Sequence, residues 1–200
     1  MTFFSEAKFR FLPVPEDGRI ETDPFLKACT EIVPFFDVLG PTTFAPVKMD
    51  INGNIKKLRA IYEKSPQKFR VLQSIVDNEI QAKTTTAKNS GTDALLWLKR
   101  AMQFVLAFLK QVLTGEQDLV KCANTAYEKT LKQYHNFIVK GIFSLAVKSV
   151  PYRKDFIKLL SRGNADELSL LEEMQNFVDE LDSNIHVIQE YYNDNGLDLS

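Results

Sequence analysis

Apolar residues recur along this chain at helical spacing, and no stretch alternates long enough to compete as a strand. The clearest stripe covers 166–192, where Leu168, Leu171, Met174, Phe177, Val178, Leu181, Ile185 and Ile188 share one face of a predicted helix. Residues 92–113 are almost unbroken helix formers and apolar on more than one face, which predicts a central helix covered on both sides. Thr114-Gly115 closes it. A long helical pattern over 119–149 follows and stops before Pro151, then a shorter one over 155–161 ends at Gly163. Upstream, Thr22-Asp23-Pro24 provides a cap and a first-turn proline for the apolar run 25–39, which stops at Gly40-Pro41. A second helix fits 45–64, and Ser65-Pro66 opens a third that fades into a polar loop at 84–91. Phe3, Phe4, Phe9, Phe11 and Leu12 precede Pro13 and Pro15, so this opening segment reads as packed onto the body. The pattern predicts an all-α fold of about eight helices, one domain over 1–200, with no internal repeat.

Composition narrows the class of function. The 200 residues are 44% hydrophobic and 26% charged, and 25 Lys+Arg against 26 Asp+Glu leave a formal net charge of -1. Charge this balanced gives no general attraction to nucleic acid. Only Cys29 and Cys122 are present, too few for a disulfide framework or a thiolate metal site. With no signal-peptide pattern and no apolar run near the ~18 residues of a bilayer span, the chain reads as soluble and cytosolic. One ratio stands out, Phe 15 against Trp 1.

Most enzymatic signals are absent. His135 and His186 are the only histidines, and neither has a metal-ligand pattern around it. There is no phosphate-binding or dinucleotide-binding glycine loop and no nucleophile elbow, while Glu172-Glu173 lie on a solvated helix face. The segment 47–58 differs. At about 100° per residue, Asn54 and Lys57 fall within ~40° of Asp50, beside an apolar stripe of Ile51, Ile55, Leu58 and Tyr62. An acceptor, an amide and a cation on one rim suit a polyhydroxylated ligand, while spacing alone favours an ion pair and a satisfied Asn at the rim of the core. Gly53 inside that helix is explained by close backbone approach or by an early break, and spacing does not choose. Trp97, continued by Phe104 and Phe108, is either core or a flat platform for a sugar ring. His135, on a mainly apolar helix, is either a satisfied core residue or a ligand contact.

Several segments at consistent intervals resemble the glycolipid transfer protein family: Phe25-Leu26, residues 34–40, Asp50 to Ile55, Leu96 to Arg100, Tyr134-His135, and Ala146 through Pro151-Tyr152 with Asp155-Phe156. The resemblance implies a two-layer helical sandwich that carries a glycosphingolipid between membranes without chemical change and needs no cofactor or metal. It further implies that Asp50, Asn54 and Lys57 bind sugar hydroxyls, that Asp50 also accepts from the ceramide N–H, and that His135 donates to the ceramide carbonyl. Trp97 would stack under the sugar. Relatives carrying phosphorylated ceramide place cationic residues where Trp97 stands, so the implied ligands are galactosylceramide, glucosylceramide and lactosylceramide. A hydrophobic pocket is expected from Phe35, Phe36, Phe44, Val47, Phe104, Phe108, Phe143 and Phe177, each of which also suits plain core packing.

The chain departs from the animal members in three places, and a fungal-type member is one candidate. Phe137 stands where those members have a membrane-dipping tryptophan, and it lacks the indole N–H that favours the interface. Asp93 replaces an apolar residue and reads as a headgroup contact or a first-turn helix cap. Gly196 to Ser200 lack the aromatic found near the end of animal members, which puts a terminal lid over the sugar site in doubt. Docking on a membrane surface is expected around Phe137, Lys140, Lys148, Val150 and Tyr152. The expected protein is a cytoplasmic monomer that visits membranes transiently. A lipid-sensing interaction module is the competing class, and an enzyme on glycolipids is the weakest, since no acid–base pair or nucleophile is assembled.

Overall fold

The computed structural model describes residues 1–162 and 166–198; the expected stop at Gly163, and Leu199 and Ser200, lie outside the described residues. Its α-helices are α1 (Thr22–Ile32), α2 (Phe35–Leu39), α3 (Ala45–Lys64), α4 (Leu72–Ala82), α5 (Gly91–Leu113), α6 (Leu119–Lys129), α7 (Phe137–Ala146), α8 (Arg153–Leu160) and α9 (Glu167–Asp194). Short 3₁₀ turns at Lys132–Tyr134 and Val147–Ser149 flank α7. No β-strand is present among the described residues beyond an isolated bridge between Glu21 and Val71.

Helix α5 is the axis, packed by α3 and α4, by α6 and by α9, as its apolar faces require. Its start is closed from two directions. Ser90 Oγ accepts from the Asp93 N–H at 3.0 Å, and the Glu79 carboxylate accepts from the N–H groups of Gly91 at 2.7 Å and Thr92 at 2.8 Å. Gly91 itself is dictated by close approach, because a Cβ there would collide with Ile75 of α4. At the other end the buried Arg153 guanidinium donates to the carbonyls of Val112 at 2.8 Å and Glu116 at 3.1 Å.

Two expected long helices are broken. The run 25–39 divides at Pro34, which has no N–H to continue the ladder of α1. The run 119–149 divides after Lys129, where the backbone leaves the helical region at Thr130 and is extended at His135. Asn136 then starts α7 as a new helix, its side chain accepting from the Val139 N–H at 3.0 Å. His135 therefore sits in the gap between helices and not on a helix face as expected. Gly53 has neither of the expected explanations: α3 runs unbroken through it, and nothing lies within 4 Å of where its Cβ would be.

The interior is a chain of aromatic rings. Phe44 meets Phe36, Phe36 meets Phe35, Phe35 meets Phe108, Phe108 meets Phe104, and Phe104 meets Phe143, with centroids 5.6 to 6.4 Å apart. Phe3 and Phe4 carry this network to Phe177, which lies under the opening segment between Phe4 and Phe11. Packing of that segment onto the body is thus observed.

Candidate functional site

Helix α3 places Asp50, Asn54 and Lys57 on one rim, as the spacing requires. Asn54 is buried and its amide nitrogen donates to Asp50 Oδ2 at 3.2 Å. Lys57 is half-buried and acts on Asp50 through its field, without a close ion pair among the described residues. Partial desolvation pushes the Asp50 carboxyl above the usual carboxylate range; Lys57 opposes this and the nearby Asp93 carboxylate adds to it. Because Glu79 and Ser90 satisfy the first N–H groups of α5, capping does not use the Asp93 carboxylate. Asp93 lies one turn before Trp97 on α5, and its charge reaches Asp50.

Trp97 is half-buried. The break after α6 brings His135 to it: the two rings are 6.0 Å apart and within 16° of parallel, and Tyr134 stands edge-on at 6.5 Å. His135 Nδ1 and the Tyr127 hydroxyl are 3.0 Å apart. Burial keeps the Tyr127 phenol protonated by raising its pKa, and burial with the Lys140 and Arg100 charges lowers that of His135. Where the phenol donates to Nδ1, the neutral imidazole carries its proton on Nε2. The structure thus places an acceptor, an amide and a cation on α3, an indole on the adjoining α5, and an imidazole ring against that indole. Tyr127 was not legible in the sequence, because its contact to His135 crosses the helix break.

The expected pocket residues divide by position. Phe35, Phe36, Phe44, Phe104 and Phe108 are 0 to 1% exposed and Phe143 is 7%, all in the ring chain. Val47 is half-buried at its edge, and Phe177 is half-buried under the opening segment. These rings fill the space between helices by packing on one another. An open cleft of about 430 Å³ lies between α5 and α9, with Gln103, Leu106, Tyr134, Asp182, Gln189 and Asp198 among its walls.

Of the residues expected at a membrane, Phe137 (88% exposed) and Tyr152 (85%) stand in solvent, and Lys140 and Lys148 are exposed beside them. Val150 is 8% exposed and belongs to the core, so that expectation is corrected: the chain turns inward there to hold the junction before Pro151. Three exposed apolar residues of α7 were missed: Ile138 (70%), Ile142 (46%) and Leu145 (66%). The long continuous helix expected over 119–149 gave them no separate face.

No helix among the described residues is long and apolar enough to cross a membrane, and no His, Cys, Asp and Glu group there could hold a metal ion.

A family model described as Glycolipid transfer protein matches residues 20–162. Human Pleckstrin homology domain-containing family A member 8 is 38% identical over 98% of this chain, which spans 40% of that protein's length. The zebrafish (Danio rerio) protein of the same name is 38% identical over 98% of this chain and 37% of its own length. Among solved structures, one on how FAPP2 selects simple glycosphingolipids using this fold superposes with a TM-score of 0.91 at 38% identity, covering 98% of this chain and 97% of that one. A fungal glycolipid transfer protein follows at 0.86 and 32% identity, covering 96% and 97%. Mouse ceramide-1-phosphate transfer protein shares the fold, at 0.84 and 22% identity, covering 98% and 95%.

Proposed function

The chain belongs to the glycolipid transfer protein family, and from that premise we propose that it takes one glycosphingolipid from a membrane, shields it and releases it to another without chemical change. What supports this reading is the polar set Asp50, Asn54 and Lys57 on α3 together with the stacking of His135 on Trp97 of the adjoining α5. A hexose lies flat on the open face of the indole. Its hydroxyls donate to Asp50 and accept from Lys57, and the Asn54 amide does both. His135 Nε2–H meets the ceramide carbonyl while Asp50 accepts from the ceramide N–H. The neighbouring FAPP2 structure, of a protein that selects simple glycosphingolipids, supports galactosylceramide, glucosylceramide and lactosylceramide as ligands.

The two halves of the lipid contribute different things. Each methylene taken from water is worth about 0.8 kcal/mol, so the chains supply affinity with little discrimination. They enter by parting the ring chain of Phe35, Phe36, Phe44, Val47, Phe104, Phe108 and Phe143, and Phe177 yields with the opening segment. A lipid without hydroxyls covers these polar groups and leaves them unpaired at roughly 1 to 3 kcal/mol each, which places identity at the rim. Docking uses α7. Phe137, Ile138, Ile142, Leu145 and Tyr152 enter the lipid interface, and Lys140 and Lys148 meet headgroups, giving brief visits suited to a net charge of -1.

The test is transfer of labelled lipid between vesicles, comparing galactosylceramide, lactosylceramide, ceramide phosphate and a phospholipid. Selective acceleration of the glycosylated lipids is expected, and its absence sinks the reading. Trp97→Ala and Asp50→Val each reduce transfer by about tenfold to a hundredfold with helicity retained. Tight binding without net transfer would mark a lipid sensor, and release of free sugar would mark an enzyme.

A further inference from the structure

Beside the platform, α5 carries two adjacent cations away from water: the Lys99 side chain is 0% exposed and that of Arg100 4%. Buried charge of this kind is strongly disfavoured without a counter-charge. The Asp198 carboxylate pairs with both. Past α9 the backbone turns at Gly196 through a left-handed φ of 62°, and the Leu197 N–H donates to the Tyr192 carbonyl at 2.9 Å, which directs Asp198 back onto α5. Asp198 Oδ2 accepts from Lys99 Nζ at 2.7 Å and Oδ1 accepts from Arg100 Nη2 at 3.0 Å. Gln189 of α9 completes the arrangement, donating to Asp198 at 2.6 Å and accepting from Lys99 at 2.6 Å. These bonds outweigh desolvation and hold the Asp198 carboxyl below its ordinary range.

The guanidinium so held is part of the platform's support. Its carbon lies 3.4 Å from the centre of the Tyr134 ring and 5.0 Å from that of Trp97. Tyr134 and His135 in turn bound Trp97 from the side of the helix break. A segment that follows the last helix is thus connected to the proposed sugar site through one side chain of α5.

We propose that Asp198 is a positioning residue for headgroup recognition: residues 195–198 form a latch whose carboxylate sets the Arg100 guanidinium against Tyr134 and Trp97 and so preorganises the sugar platform. This rests on the reading of Trp97 as that platform. A merely structural role for Asp198 would lower stability and leave headgroup preference alone. Positioning changes the preference.

The experiment uses the full chain, phosphatidylcholine vesicles carrying either galactosylceramide or ceramide, and the single indole as reporter. Asp198→Asn is expected to lower the preference for galactosylceramide over ceramide about tenfold, to raise acrylamide quenching of Trp97 without lipid, and Asp198→Glu to restore part of both. A lower unfolding temperature with preference and quenching unchanged overturns the proposal. Should Asp198→Asn fail to fold, Lys99→Met with Asp198→Asn removes one buried cation together with the Asp198 charge that Arg100 pairs with, and the same readouts apply. If the unaltered chain shows no preference for galactosylceramide, the sugar reading fails by itself; quenching then decides the latch, a rise supporting it and no change overturning it.

Discussion

Helices α5 and α7 are both rich in apolar residues, yet α5 buries Leu95, Leu98, Phe104 and Phe108 while α7 leaves Phe137, Ile138, Ile142 and Leu145 in solvent. The difference lies in neighbours: α5 has helices on each side, whereas α7 turns Phe143 and Ala146 inward and leaves its other face uncovered among the described residues. Apolar content measures how much surface seeks cover, and only packing says whether protein provides it. On α7 the proposed cover is a membrane, and the distinction between core and docking surface can be broken by substitution.

The largest expected effect is on the core side. Phe108→Ala destabilises by about 3 to 5 kcal/mol in denaturant unfolding, whereas Phe137→Ser on α7 stays within about 0.5 kcal/mol; similar losses at both would erase the contrast. Next comes membrane association. Phe137→Ser with Ile142→Ser weakens vesicle binding by at least ~tenfold in sedimentation, since a fully buried side chain of this size is worth roughly 1.5 to 3 kcal/mol. Unchanged binding would remove α7 from the docking surface.

The smallest effect is a pH slope at the junction of the two regions. His135 lies between α6 and α7, and burial, Lys140 and Arg100 hold its pKa below the ordinary 6.5. The unfolded chain therefore binds this proton more readily, so the stability His135 contributes is full above 6.5 and is lost as pH falls through that value. His135→Gln flattens that part of the stability profile. Asp50 has the opposite sign: its raised pKa makes ionisation cost stability as pH climbs from the ordinary 3.8. A profile of His135→Gln parallel to the unaltered chain's between pH 7 and 5 would refute the assigned burial.

Much of the rim was legible. Asp50, Asn54 and Lys57 sit within one helix, where geometry is a direct function of spacing, and α3 runs over the residues the pattern indicated. Trp97 was legible as one of two alternatives, because spacing places an indole on a face but does not say what lies opposite. Elsewhere local signals competed. Pro34 divided a run whose apolar pattern continued through it, and Asn136 began a helix where propensity alone would have carried the previous one on. Val150 was mistaken for surface and Ile138, Ile142 and Leu145 were overlooked for the same reason: which way a helix faces depends on the break before it.

The sequence by itself determined the all-helical class, the central position of α5, the family and the rim on α3, since each depends on contacts a few residues apart or on motifs read in order. Tertiary structure decided the rest. The stacking of His135 on Trp97, the Tyr127 partner and the Asp198 lock on Lys99 and Arg100 join residues far apart in the chain. Periodicity carries no information about such pairs, because buried charges and ring stacks find their partners only after the helices have packed.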